Sequence, residues 1–352
     1  GALSLVSKMP TGEWGGRIDG SIGNIDSRSA SLHLNLPEVA GFSVKLDGVY
    51  QHQGAVTENP LAGAAGWGLF ERKGMRAAVR WKPVDGVTND FSYDVAKDEN
   101  TPFYSQLLNY NPNNCQSGGT NLAPLAIPSG STCVTPGTAF TGVQGTIRAL
   151  VPGVVVNGDT LMRVADIGVP QKRSVDRTHG FTNVFKWKVS PELELRSITA
   201  WRGVDVEQYD NSGGYHRVPV VNYTASCTTA APCAFSQELQ AVGTVGSVDY
   251  VAGLYYFNEH VSDDAATPNS MGVVYNTATS ANFVTIPFCT GAANASLGAA
   301  VQGCSIDRAS EVWSKSYAAY GQLTWNATDA LHITVGGRYT EDKKKGVLHW
   351  SR

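Results

Sequence analysis

The chain has 352 residues, of which 16% are charged and 38 are glycine, with a formal net charge of −3. A mean hydropathy of −0.16 is too polar for a bundle of membrane helices, and no apolar run approaches the about 18–20 residues that a transmembrane helix needs. The charge content is too low for an ordinary soluble enzyme, and the slight acidity argues against a nucleic-acid binder, which would normally show a basic patch.

Period-2 alternation dominates, and sustained helical periodicity is almost absent. The opening Gly1-Ala2-Leu3-Ser4 has neither an initiator Met nor a basic-then-apolar leader, so the chain reads as a processed protein or a fragment. Strands are predicted at 13–23, 27–36, 42–53, 72–82, 88–98, 175–189, 192–208, 234–245, 248–262, 311–325 and 330–343. A twelfth is expected to begin near Gly346 and run to Arg352. Many exceed the usual length of about 5–6 residues, and a strand of about ten can cross a bilayer when tilted.

The connections alternate in length from the second strand onward. Pro37–Gly41, Pro83–Val87, Ser190–Glu192, Gly246–Ser247 and Asn326–Asp329 are short; Gly54–Glu71, Glu99–Ser174, Tyr209–Cys233 and Ser262–Ser310 are long. In an up-and-down meander every second connection lies on the same rim, so this parity puts the short turns at one end and the long loops at the other. That asymmetry marks an antiparallel outer-membrane barrel, with periplasmic turns and extracellular loops.

The strand faces agree. Phe42, Val44, Leu46 and Tyr50 alternate with Ser43, Lys45, Asp47 and Gln51. Met75, Ala77, Val79 and Trp81 alternate with Arg76, Ala78, Arg80 and Lys82. One side suits lipid and the other a polar lumen. The strand at 248–258 is mixed, because Val251, Tyr255 and Phe257 oppose Tyr250, Leu254 and Tyr256; an apolar contact inside the lumen is expected there. Trp81, Trp187 and Trp325 fall beside short turns and Trp201 nearer the long loops, as two interfacial belts require.

Cys115 and Cys133 share one long loop, Cys227 and Cys233 the next, and Cys289 and Cys304 the third. The economical connectivity is one disulfide per loop, which fits an oxidising space outside the cytoplasm. The segment from Asn100 to Ile147 lacks Asp, Glu, Lys and Arg, and loops this long are usually functional or disordered. Tyr104, Tyr110, Tyr209, Tyr215, His216 and Arg217 are the candidate ligand contacts on the loops. The sequence holds no HExxH, GxSxG, Walker A or GxGxxG motif. Neither catalysis, a metal site nor a cofactor is expected.

"GALSLVSKMPTGEWGGRIDGSIGN" resembles the plug-to-barrel junction of TonB-dependent outer-membrane receptors, with Gly1, Lys8 and Pro10 ending a plug strand at 2–9 and Gly16, Gly20 and Gly23 in the first barrel strand. "FSQELQAVGTVGSVDYVAGLYYFNEH" (Phe235–His260) and "SYAAYGQLTWNATDALHITVGGRYTEDKK" (Ser316–Lys344) are similar to two hairpins of that family. The resemblance implies residues 1–12 as the end of the plug domain and 13–352 as the first part of a barrel of about 22 strands. It further implies active import of a scarce nutrient, a ferric siderophore or cobalamin, in the outer membrane of a Gram-negative bacterium. The partners would be outer-membrane lipid, the small-molecule ligand, and TonB acting through a region before Gly1; no nucleic acid is expected. A self-contained porin or adhesin barrel is the alternative, and a soluble lectin-like sandwich a more distant one.

Overall fold

The computed structural model describes residues 7–106, 161–165, 171–210, 221–226, 233–267, 273–276, 282–285 and 306–351. The strands are β1 (Gly15–Gly23), β2 (Ser27–Asn35), β3 (Phe42–Gln53), β4 (Phe70–Trp81), β5 (Val87–Asn100), β6 (Ser174–Ser190) and β7 (Leu193–Asp210). They continue as β8 (Val221–Ser226), β9 (Ala234–Val245), β10 (Val248–Thr267), β11 (Val273–Asn276), β12 (Asn282–Thr285), β13 (Ile306–Thr328) and β14 (Leu331–Ser351).

Twelve of these strands form one antiparallel sheet; β11 and β12 pair separately as a small hairpin. Within the large sheet each strand pairs with the sheet's next strand in sequence except at one place. There β9 joins the lower part of β7, Glu194–Arg202, while β8 joins its upper part, Asp205–Asp210. Both lie between β7 and β10, so β8 and β9 share one lane and the sheet makes eleven passes. Strand contacts run between hydrogen-bonded neighbours, with no second layer packed on either face among the described residues. A sandwich needs such a layer, so the soluble reading fails.

The structure corrects several boundaries. β14 runs unbroken through Gly346, so no twelfth strand begins there. The last turn is Asp329–Ala330, with a register shift between Asn326 and Thr328. Residues 221–226 are strand rather than loop, and Tyr209 lies within β7. The strands beside the long connections extend beyond their expected ends, β10 to Thr267 and β13 down from Ile306. Residues 7–9 carry no strand, and the rest of the expected plug strand lies outside the described residues.

Turn chemistry sets the register at the short-turn rim. Val39 and Phe42 exchange backbone hydrogen bonds of 3.0 and 2.9 Å around Ala40 (φ 50) and Gly41 (φ 79). Two positive φ values are what a type I′ hairpin demands. The first connection, 24–26, departs from the parity: it is short yet sits at the long-loop rim, with Ile25 and Asp26 at φ 56 and 50.

Cross-strand partners share a face. One face of β10, β13 and β14 reads Val248–Trp325–Ile333, Tyr250–Leu323–Val335 and Leu254–Ala319–Tyr339. Leu254, Leu323, Trp325, Ile333, Val335 and Tyr339 are exposed. Ile18, Met75, Trp81, Phe91 and Trp187 on the earlier strands are exposed as well. Apolar surface of this extent with no protein over it belongs against hydrocarbon.

Candidate functional site: the inner wall and the loop-end clasp

The opposite face is a wall of paired charges. On β4 and β5, Arg72 faces Asp98, Arg76 faces Asp94 and Arg80 faces Asp90 across the ladder. Arg80 Nε donates to Asp90 Oδ1 at 2.6 Å, and Arg72 Nε to Asp98 Oδ2 at 2.8 Å. On β2 and β3, Asp47 takes Lys45 Nζ at 2.6 Å and pairs with His33 Nδ1 at 2.7 Å.

Two glycines let long side chains cross a whole strand. Arg202 on β7 pairs with Asp94 on β5, passing over Gly180 of β6, which lies between them in register. A Cβ at 180 would collide with the Trp201 carbonyl oxygen and stand 3.0 Å from Arg202 Nε. Likewise Tyr320 on β13 lies over Gly253 of β10 to reach β9. Its hydroxyl donates to Glu238 and accepts from Gln240 Nε2 at 2.9 Å. The Arg338 guanidinium covers the Tyr255 and Tyr320 rings, 5.7 Å from each centroid. The inward Tyr255 of β10 thus meets a guanidinium rather than the apolar contact expected there.

Arg76 is different. Its register partners Asp47 and Asp94 are engaged by Lys45, His33 and Arg202, and among the described residues Arg76 itself makes no ion pair. It borders a recess of about 600 Å³ together with Lys8, Arg17, His33, Lys45 and Asp47. A second recess of about 390 Å³ adjoins it across His33, Asp47 and Arg76, floored by Val49, Gly74 and Ala96. Such a wall can hold a polar, shape-matched segment or ligand. No group of three metal-ligating side chains occurs among the described residues.

At the long-loop rim, four separate stretches pack into a clasp. Trp67 is 2% exposed, with Thr57, Leu69, Ala165 and Gln171 also buried. Thr57 Oγ1 donates to the Met162 carbonyl at 2.8 Å, and Glu58 pairs in parallel with Val164. Gly68 N donates to Pro102 O and Ala65 N to Gln171 O, at 2.9 and 2.8 Å. Gln171 Nε2 reaches Tyr209 O at 3.0 Å, tying the clasp to β7.

Of the predicted ligand contacts, Tyr104 packs its ring edge-on against Trp67, 4.9 Å between centroids. The Tyr209 ring lies under Lys172 Nζ, 5.7 Å away. Both therefore help build the rim. Tyr110, Tyr215, His216 and Arg217 lie outside the described residues. Cys233 is disulfide-bonded. Its partner and the other four cysteines lie outside the described residues as well. Trp67, Thr57 and Gln171 were not singled out by the sequence; the one signal is a lone Trp inside the Gly/Ala-rich run "AGAAGWG".

The aromatic residues form rows on the apolar face. Near the short turns, Trp81 stacks on Phe42 at 5.5 Å, and Trp187 and Trp325 are exposed. From Phe91, near the β4–β5 turn, Phe181 and then Trp201 follow toward the loops at 6.0 and 6.3 Å. Phe235, Tyr256 and Tyr317 continue at 6.3 and 5.2 Å.

A family model described as TonB dependent receptor-like, beta-barrel, matches residues 135–351. Among solved structures, the ferric yersiniabactin uptake receptor FyuA from Yersinia pestis is similar with a TM-score of 0.62 and 18% identity, over 98% of this chain and 41% of that one. The ferripyoverdine receptor of Pseudomonas aeruginosa gives 0.59 and 11%, over 98% and 39%. The ferric-catecholate import receptor Fiu of E. coli K12 gives 0.54 and 13%, over 97% and 46%. The chain thus spans less than half the length of each. No curated protein sequence matches it.

Proposed function

The chain belongs to the TonB-dependent receptor-like β-barrel family of Gram-negative outer-membrane proteins, and from that premise we propose that it is the first part of a barrel importing a scarce nutrient, a ferric siderophore foremost. Residues 1–12 are assigned to the end of a plug domain and 13–352 to the barrel. The observation that carries the reading is the inner wall. A wall that must seat a folded plug gains from tying lumen charges down in pairs, one of which, Arg202–Asp94, crosses a whole strand. Family members are receptors and transporters rather than enzymes, in keeping with a wall built for holding.

In this reading the clasp presents the long loops that carry Tyr110, Tyr215, His216 and Arg217 toward the ligand, with Tyr104 and Tyr209 at their base. Local disulfides Cys115–Cys133, Cys227–Cys233 and Cys289–Cys304 would limit the entropy of loops that lack a core of their own. Energy reaches the plug from TonB and the proton-motive force. The three similar structures are an uptake receptor for ferric yersiniabactin, an import receptor for ferric catecholates and a receptor bound to ferripyoverdine, which makes ferric siderophores the first ligands to try.

The test is uptake of labelled ferric siderophores, with cobalamin as the contrasting ligand, by cells carrying the full-length receptor. Deleting the energy-coupling partner is expected to abolish accumulation and leave surface binding intact. Concentrative uptake that persists in that background would overturn the reading.

A further inference from the structure

The apolar face ends, toward the long loops, in a patch where positive charge is left uncompensated. Cross-strand register stacks three rows there: Tyr256–Tyr317–Glu341, then Asn258–Lys315–Lys343, then His260–Trp313–Lys345. The rings frame the ammonium groups. Lys345 Nζ sits 5.3 Å over Trp313, Lys343 Nζ 5.9 Å over Tyr317, and His260 stacks on Trp313 at 4.7 Å. Lys343 has Glu341 at 2.9 Å, and Glu311 faces His260 at 3.4 Å. Lys315 and Lys345 have no carboxylate partner among the described residues. Lys315 and Lys343 are moreover direct cross-strand neighbours, an arrangement that destabilises a sheet unless an anion intervenes. Elsewhere on the same face the cations are neutralised within the chain: Lys73 by Glu71, Lys97 by Glu99 and Arg177 by Asp205.

Height decides what the anion is. From Trp325 up to Tyr317 the outward positions of β13 are Leu323, Gly321 and Ala319. At about 3.3 Å per residue and a tilt of about 40°, that span rises about 20 Å. Lys315 and Lys343, one row higher, stand about 25 Å up, at the top of the usual apolar band. That is the level of lipid phosphates.

We propose that Lys315, Lys343 and Lys345, framed by Trp313 and Tyr317, form a docking site for the phosphate-bearing headgroup of an outer-leaflet lipid. The site rests on the outer-membrane placement of the sheet with its long loops outward; it does not depend on which nutrient is imported.

The test uses the full-length receptor purified from outer membranes and placed in zwitterionic nanodiscs. These are doped with bis-phosphorylated lipid A or with phosphate-free lipid A of the same acyl chains. Retained lipid is read by native mass spectrometry. Selective retention of the phosphorylated form is expected. Each lysine near an anionic surface contributes about fivefold, so K315Q/K343Q/K345Q is expected to weaken retention about a hundredfold. K97Q, at a self-neutralised position, is expected to change nothing. Equal retention of both lipids, full retention by the triple variant, or complete displacement by inorganic phosphate would overturn the proposal. Heat-modifiable gel migration reports folding; if the triple variant fails it, K315Q alone must still lose about fivefold, and no loss overturns the site. Nutrient uptake is measured separately, so a failed transport reading leaves this result standing.

Discussion

Arg202 and Asp94 show how much of the inner wall is decided by a single missing side chain. Between them lies Gly180, and the guanidinium crosses the strand on which that glycine sits. A branched side chain at 180 meets backbone, the Trp201 carbonyl oxygen, rather than a flexible tip. Relief therefore requires the β6–β7 ladder to shift. Gly180→Val is expected to cost about 1–3 kcal/mol, the usual range for overpacking. Arg202→Ala, which removes only an exposed ion pair, is expected to cost under about 1 kcal/mol. Urea unfolding of the two variants in the same detergent checks this. Equal losses would show that the crossing guanidinium, and not the space beneath it, matters at this position. That the wall would be charged was legible from the alternation of Arg76, Arg80 and Lys82 with Met75, Ala77, Val79 and Trp81. Which acid each arginine takes was not, because Arg202 and Asp94 are 108 residues apart and no local pattern links them.

At the level of elements, the strands were readable because period-2 alternation acts within each one, but their ends were not. β8 and β9 are separated by a stretch of Cys, Thr, Ala and Pro that has every mark of a loop. Yet β7 and β10 are long enough to require a partner above the break, and β8 supplies it. The same force carries β14 through Gly346: β13 presents donors and acceptors as far as Asp307, and one glycine does not outweigh a continuing ladder. The clasp was illegible for a different reason. Its pieces come from 54–69, 101–106, 161–165 and 171–173, and only the assembled rim shows that Trp67 is their common centre. Trp67→Ala should remove about 3–5 kcal/mol of local packing, as for a fully buried tryptophan. Because the clasp touches the sheet only at its rim, the loss should appear as local opening rather than as an equal drop in barrel stability. External protease applied to intact cells, with the cuts mapped by mass, is expected to cleave the variant within 54–69 and leave the unaltered receptor whole there. An unchanged cleavage map would mean that the hydrogen bonds of Thr57, Glu58 and Gln171 hold the rim without the tryptophan.

For the whole molecule, the arrangement makes sense only when the bilayer is counted as part of it. Among the described residues the apolar face has no protein cover, and many charges of the polar face are paired. Two aromatic rows bound the bare region, Trp81, Trp187 and Trp325 on one side and Trp201 with its neighbours on the other. If those rows mark the two interfaces, their depth in the membrane follows. Single-tryptophan receptors retaining Trp81, Trp187, Trp201 or Trp325 are expected to be quenched most by lipids brominated close to the headgroup. Ala252→Trp, an exposed position midway between the rows beside Gly321 and Gly337, is expected to respond instead to bromines near the acyl terminus. Trp67, shielded inside the clasp, should respond to neither. The reversal between Ala252→Trp and the four native positions is the discriminating result, since aromatic residues favour strands in soluble sheets too and only a membrane orders their quenching by depth. Equal quenching of all positions by both lipids would remove the belts and leave the rows as ordinary cross-strand packing.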